Sequence, residues 1–87
     1  KTFDEVIERA NDNDLGLCSY LYTNSMDKAH IGSEKLETGC VAVNTGVVAL
    51  AEAPFGGIKQ TGYGREGGSG AIKDYLNVKY THMGLKI

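Results

Sequence analysis

The glycine-rich second half of the chain holds the pattern with the clearest chemical potential. Gly62, Gly64 and Gly67 have the G-x-G-x-x-G spacing, whose backbone amides cradle the phosphates of a dinucleotide. That motif follows a strand, opens a helix and has an acidic residue about 20 positions later. Here a loop-like segment precedes it and the chain ends near Leu85. The context therefore disfavours a phosphate cradle.

Side chains that could act as nucleophiles or metal ligands are few. Cys18 and Cys40 lie within apolar stretches, where burial raises the pKa of a thiol and makes it inert, so we interpret both as packing residues. His30 and Glu34 share a helical face, but the pair falls short of the three or four ligands that zinc takes. We predict no metal site and no self-sufficient catalytic set.

The composition indicates which classes of protein to exclude. The 87 residues are 41% hydrophobic and 23% charged, with a formal net charge of -2 and no dense basic run to neutralise phosphates. No apolar run approaches the roughly 20 residues of a membrane-spanning helix. A small secreted scaffold usually carries more than two cysteines. We therefore expect a cytoplasmic protein that binds neither nucleic acid nor membrane.

Two segments have the periodicity of amphipathic helices. Residues 2–11 place apolar side chains at helical spacing, and Thr2 with Glu5 matches a capping box. Residues 26–37 repeat the spacing, with Gly39 in a C-cap position.

Residues 17–23 and 40–44 are short apolar segments that predict buried strands. Strand, helix and strand with tight connections indicate a parallel pair and an α/β fold. Two short parallel strands bury their faces only within a wider sheet. The missing strands must come from another segment or another chain.

The character of the chain changes at Thr45, where a long glycine-rich loop begins. A loop of this length in a compact domain is usually functional. Residues 69–76 predict a short helix with Ser69 as its cap, and residues 77–83 alternate like a strand that lacks an antiparallel partner. An unpaired strand makes the isolated chain prone to aggregation.

Several segments together carry a family resemblance. They are Asn44-Thr45-Gly46, the run Ala53-Pro54-Phe55-Gly56-Gly57-Ile58-Lys59-Gln60-Thr61-Gly62-Tyr63-Gly64-Arg65-Glu66, Asp74-Tyr75 and Lys79-Tyr80. In this order they resemble the C-terminal part of the aldehyde dehydrogenase superfamily over nearly all of the chain. The resemblance implies that residues 1–76 end the α/β catalytic domain and that residues 77–87 form an oligomerisation strand and C-terminal tail. It thus implies a homo-oligomer.

The resemblance implies oxidation of an aldehyde to its carboxylic acid by a parent enzyme. In this family a cysteine attacks the aldehyde, hydride passes to NAD(P)+, and water hydrolyses the thioester. The nucleophile stands in a G-Q-x-C context and the general base in E-x-G-G, and neither string occurs here. We therefore expect the chain alone to be inactive, with NAD or NADP bound mainly by the remainder of the parent chain.

The resemblance also assigns roles to particular residues. Phe55, Ala49 and Leu50 are expected to form the wall that binds the small-molecule aldehyde, and Glu66 to relay protons from the general base. Leu17 matches a leucine on the nicotinamide side of the cofactor. Arg65 is expected to be structural, in an ion pair with a neighbouring segment or subunit.

The choice of substrate stays open between two alternatives. V-N-T-G and A-P-F-G-G-I-K most resemble the succinate-semialdehyde branch, whose loop serine helps bind the substrate carboxylate. Residues 47–52 have no hydroxyl, and Glu52 would repel a carboxylate if it pointed inward. The substrate is thus an aldehyde without that carboxylate, or one whose carboxylate is bound elsewhere in the parent. The alternative to an enzyme fragment is a stand-alone, non-catalytic oligomerisation module.

Overall fold

The first helix begins where the sequence places its cap. The structure, a computed structural model, describes residues 1–86; Ile87, in the predicted tail 77–87, lies outside the described residues. Helix α1 spans Phe3–Asn11. The backbone amide of Glu5 donates to Thr2 Oγ1 at 3.2 Å, which confirms Thr2 as the N-cap.

Helix α2 spans Met26–Lys35 and ends earlier than predicted. Its N-cap is Ser25, whose hydroxyl accepts from the Lys28 amide at 3.3 Å. The prediction of Gly39 in the C-cap position was wrong. Leu36 adopts an extended conformation (φ -69°, ψ 123°) and its amide closes the last turn onto the Gly32 carbonyl.

The two strands confirm the predicted parallel pairing. Strand β1 spans Cys18–Leu21 and strand β2 spans Cys40–Val43, with Cys18 paired to Cys40 and Leu21 to Val43. Helix α2 connects them, so the unit is strand, helix, strand. Among residues 1–86 the sheet has only these two strands.

The second half of the chain is loop with two short 3-10 helices, Lys59–Thr61 and Ala71–Tyr75. The predicted helix 69–76 is therefore shorter, and Ser69 does not cap it. Gly70 occupies the cap position, and no side chain bonds to the turn.

The predicted terminal strand 77–83 does not form in the described chain. Residues 77–86 have no strand assignment, and none of their amides or carbonyls takes part in a backbone hydrogen bond. A strand needs a partner ladder, and this chain supplies none. Val78 and Tyr80 are left 100% and 85% exposed.

The buried core is too small for a self-sufficient domain. Within residues 1–86 the only buried hydrophobic side chains are Ile7 (7% exposed) and Ala42 (4%). The accessible surface is 7383 Å², against about 5,000 Å² for a compact monomer of this mass. The prediction that β1 is a buried strand was wrong for this chain, since Tyr20 is 52% exposed. Among residues 1–86, α2 is the only helix that contacts β1.

The overall dimensions of the molecule agree with its small buried core. The radius of gyration is 18.9 Å, whereas a compact domain of this length has about 12 Å. No helix among residues 1–86 is long and apolar enough to cross a membrane.

We expect the isolated 87-residue chain to unfold without a cooperative transition and to self-associate, because its apolar faces are uncovered. Circular dichroism during heating and analytical ultracentrifugation measure the two properties. A sharp melting curve from a stable monomer would contradict the expectation.

Candidate functional site

A two-armed hairpin in the glycine-rich loop brings Phe55 and Glu66 together. Each residue donates its amide to the other's carbonyl, both at 2.7 Å, in an antiparallel bridge. Residues paired in this way project their side chains from the same face of the ladder. The aromatic ring and the carboxylate therefore lie side by side.

The hairpin holds together through Arg65 as well as through the backbone. Arg65 donates from one guanidinium nitrogen to the carbonyls of Gly57 (2.9 Å) and Gly64 (2.8 Å), one on each arm. Within the described part of the chain it forms no ion pair. These contacts connect the two arms, and they are made to carbonyl oxygens. The expected ion pair with an acidic group of another segment or subunit stays a prediction.

The glycines of the G-x-G-x-x-G pattern form the turn and exit of this hairpin. Gly62, Gly64 and Gly67 have φ values of 108°, 85° and 65°, which side-chain-bearing residues rarely adopt. None of the three opens an α-helix. The interpretation that the motif is not a phosphate cradle agrees with this geometry.

The predicted substrate-wall residues line one cavity of about 370 Å³. Ala49, Leu50 and Phe55 surround it together with Glu66. The remaining lining residues are small: Ala51, Ala53 and Gly67. The Gly68 amide, which donates to the Ala51 carbonyl at 3.0 Å, holds this part of the loop against the hairpin.

Leu17 does not line that cavity. It lines a second cavity of about 280 Å³ that is also bordered by Phe55 and Glu66. Phe55 and Glu66 thus border both cavities. Leu17 shares a cavity with Phe55 but not with Ala49 and Leu50.

Glu66 differs from expectation in its surroundings. A carboxylate that relays protons acts best where bulk water is excluded, but Glu66 is exposed in this chain. No described segment covers the open side of the hairpin. A dry environment for this carboxylate would have to come from other parts of the parent.

The hairpin is attached to the α/β unit through closely approaching backbones. The Gly16 carbonyl accepts from the amides of Gly39 (2.9 Å) and Ile58 (3.0 Å). A Cβ at Gly39 would overlap the carbonyl oxygen of Gly56 in the hairpin. Gly39 is therefore required for close packing, a function that the sequence pattern did not reveal.

The two thiols behave as packing groups. Cys18 and Cys40 are strand neighbours, and both are half-buried. Burial, and to a lesser extent the adjacent Cys40 thiol, raises the pKa of Cys18. A raised pKa keeps the thiol protonated and weakly nucleophilic at neutral pH. Among residues 1–86 no cluster of three or more metal-ligating side chains exists.

Comparison with known proteins decides the family. The profile of the Aldehyde dehydrogenase family matches residues 1–81. The chain belongs to the aldehyde dehydrogenase family. This confirms the family resemblance and the α/β class of the fold.

The curated aldehyde dehydrogenases that resemble the chain are several times longer than it is. A succinate semialdehyde dehydrogenase of Acinetobacter baylyi is 47% identical over 95% of the chain. The Escherichia coli NADP+ enzyme GabD, of the same name, is 46% identical over 93%, and a glutarate-semialdehyde dehydrogenase of Pseudomonas aeruginosa is 46% identical over 92%. The chain spans only 17% of each of these relatives.

A solved aldehyde dehydrogenase shares the fold. The NAD+ complex of an aldehyde dehydrogenase from Bacillus cereus superposes with a TM-score of 0.89 at 41% identity. The superposition covers 99% of the chain and 18% of that enzyme.

We expect Gly39→Ala in the full-length parent to lower stability by about 1–3 kcal/mol, the usual penalty for an overpacked site. The added methyl group must displace the Gly56 carbonyl. Gly46→Ala is the matched control, because a Cβ there meets nothing within 4 Å. Urea unfolding of both variants measures the difference. Equal stability of the two variants would disprove the close approach.

Proposed function

We propose that this chain is the C-terminal part of the catalytic domain of an NAD(P)-dependent aldehyde dehydrogenase that oxidises an aldehyde to its carboxylic acid. The observation that carries the proposal is the hairpin, which gathers Phe55, Glu66, Ala49 and Leu50 around one cavity. The nucleophilic cysteine and the general base belong to the rest of the parent. The chain alone is inactive.

In this proposal Phe55 orients the aldehyde and excludes water. A flat apolar ring packs against the carbon skeleton without competing for the carbonyl oxygen. Its place at the boundary of both cavities suits a group between the substrate and the cofactor.

Glu66 moves a proton in the same site. The carboxylate lies beside Phe55 and borders both cavities, so it can accept a proton carried away from the general base. The parent covers the open face and gives the carboxylate the dry surroundings that it lacks in this chain.

In this proposal the cofactor contacts only a small part of this chain. NAD+ or NADP+ supplies the hydride acceptor when bound. Leu17 offers an apolar contact suited to the nicotinamide side, whereas no phosphate cradle forms at the glycines of the hairpin. The phosphates are held by other parts of the parent.

Succinate semialdehyde is the substrate we propose to test first. Relatives named for succinate and glutarate semialdehyde support an aldehyde of this kind. Glu52 does not line the 370 Å³ cavity, which answers the objection that it would repel a carboxylate. Ala49 and Leu50 contact the methylene chain, and the carboxylate is bound by groups elsewhere in the parent.

Residues 77–83 pair, in this proposal, with a strand from elsewhere in the parent and contribute to a homo-oligomer. Their unpaired backbone and exposed Val78 and Tyr80 provide the surface for such pairing. A stand-alone module is not favoured, because the chain buries too little apolar surface to fold by itself.

We expect Glu66→Gln in the full-length parent to slow turnover of succinate semialdehyde by about 10²-fold, the usual range for losing a proton-transfer group. The dissociation constant for NAD(P)+ should change little, because Glu66 does not bind the phosphates. Glu52→Gln, an exposed acid of the same loop outside the cavity, is the control and should retain normal turnover.

Steady-state rates and fluorescence titration of the cofactor measure these quantities. Unaltered turnover in Glu66→Gln would eliminate the relay role.

A further inference from the structure

Lys59 has a backbone conformation that a residue with a side chain rarely adopts. Its φ is 57°, in the left-handed region, although it is not a glycine. Such a conformation costs on the order of 1–3 kcal/mol and persists only where the surroundings hold it. The side chain of Lys59 is therefore expected to contribute contacts that a glycine could not.

The Lys59 ammonium joins separate segments of the chain. Nζ lies 2.9 Å from Glu37 Oε1 and donates to the carbonyls of Asn11 (3.2 Å) and Asn13 (3.3 Å). Asn11 is the last residue of α1, and a cation is favoured at the carbonyl end of a helix. The Lys59 side chain is only 24% exposed, so these contacts are partly shielded from water.

The groups that receive Lys59 are themselves fixed. The Asn11 side chain donates to the Lys35 carbonyl at 2.8 Å and accepts from the Glu37 amide at 2.8 Å. These two hydrogen bonds join the ends of α1 and α2 independently of Lys59. Lys59 thus binds a backbone segment that is itself hydrogen-bonded to the end of α2 and to the Glu37 amide.

The same position anchors one arm of the hairpin. On either side of Lys59, the Ile58 amide donates to the Gly16 carbonyl (3.0 Å) and the Gln60 amide to the Asp14 carbonyl (2.9 Å). Ile58 follows Gly57, whose carbonyl is held by Arg65. The arm that begins at Phe55 is thereby fixed at its far end.

We propose that Lys59 is a positioning residue for the aldehyde site. By binding the end of α1 and Glu37, it sets the location of the hairpin arm that carries Phe55 and hence of Glu66 opposite. Lys59 touches neither aldehyde nor cofactor. This role rests on the proposed function of the hairpin.

The test uses the full-length parent with Lys59→Met, which keeps the length of the side chain and removes its charge and donors. We expect kcat/KM for succinate semialdehyde to fall about tenfold, with a raised KM, because small misplacements of positioning groups reduce rates strongly. The dissociation constant for NAD(P)+ should stay within about twofold, since cofactor contacts are elsewhere. Hydrogen exchange in residues 54–67 should become faster.

Ile7→Val is the matched control for a purely structural effect. It removes a methyl group from the buried Ile7 side chain of α1, a residue outside the hairpin. We expect it to lower the melting temperature but to leave kcat/KM and exchange in residues 54–67 unchanged. If Ile7→Val changed kcat/KM as much as Lys59→Met, or if Lys59→Met left it unchanged, the positioning role would be overturned.

Glu37→Gln is the second test variant, used if the Lys59→Met protein does not fold. It weakens only the ion pair and leaves the carbonyl contacts of Lys59, so a smaller fall in kcat/KM and faster exchange in residues 54–67 are expected; no change in either overturns the role. If the wild-type parent oxidises neither succinate semialdehyde nor propanal, the proposed function fails. The exchange comparison still decides whether Lys59 positions the hairpin.

Discussion

The close approach of three backbone segments at Gly16 determines how the rest of the structure is arranged. One carbonyl receives the amides of Gly39 at the start of the β2 segment and Ile58 in the hairpin. A Cβ at Gly16 would lie 2.9 Å from Ile58 Cγ1 and 3.0 Å from the Glu37 carbonyl oxygen. Gly16 leaves no room for a side chain. The glycine-rich loop therefore packs directly against the backbone of the βαβ unit. The position of Phe55 and Glu66 follows from this contact.

The βαβ unit is by itself a poor support, because it buries so little. Hydrophobic burial contributes about 25 cal/mol per Å² of apolar surface removed from water, and Ile7 and Ala42 are the only buried hydrophobic side chains among residues 1–86. Parallel strands normally have both faces covered. In this chain the exposed face of β1 and residues 77–86 therefore lack such cover, and Glu66 stays open to water.

Local elements were predictable where local forces decide them. Thr2 with Glu5 predicted the start of α1, since a cap involves neighbours in sequence, and the apolar pattern predicted the parallel pair.

Gly39 was misread as a helix cap because its function is a contact with Gly56, which sequence spacing does not show. The predicted terminal strand is not confirmed, because residues 77–83 find no partner strand among the described residues. The grouping of Ala49, Leu50, Phe55 and Glu66 came from family resemblance, and the Lys59 contacts were missed because they join distant segments.

Among residues 1–86 the two non-glycine residues with positive φ are Asn44 (58°) and Lys59 (57°). They flank the loop segment that lines the 370 Å³ cavity. Asn44 accepts from the Thr23 amide (2.9 Å) and donates to the Thr23 carbonyl (3.0 Å), which extends the contact between the strands beyond β2. Lys59 holds the other end. A glycine at either position would relieve the backbone strain but would lose these bonds. The loop is thus held at both ends by side-chain hydrogen bonds, while the Gly68 amide holds Ala51 within it against the hairpin.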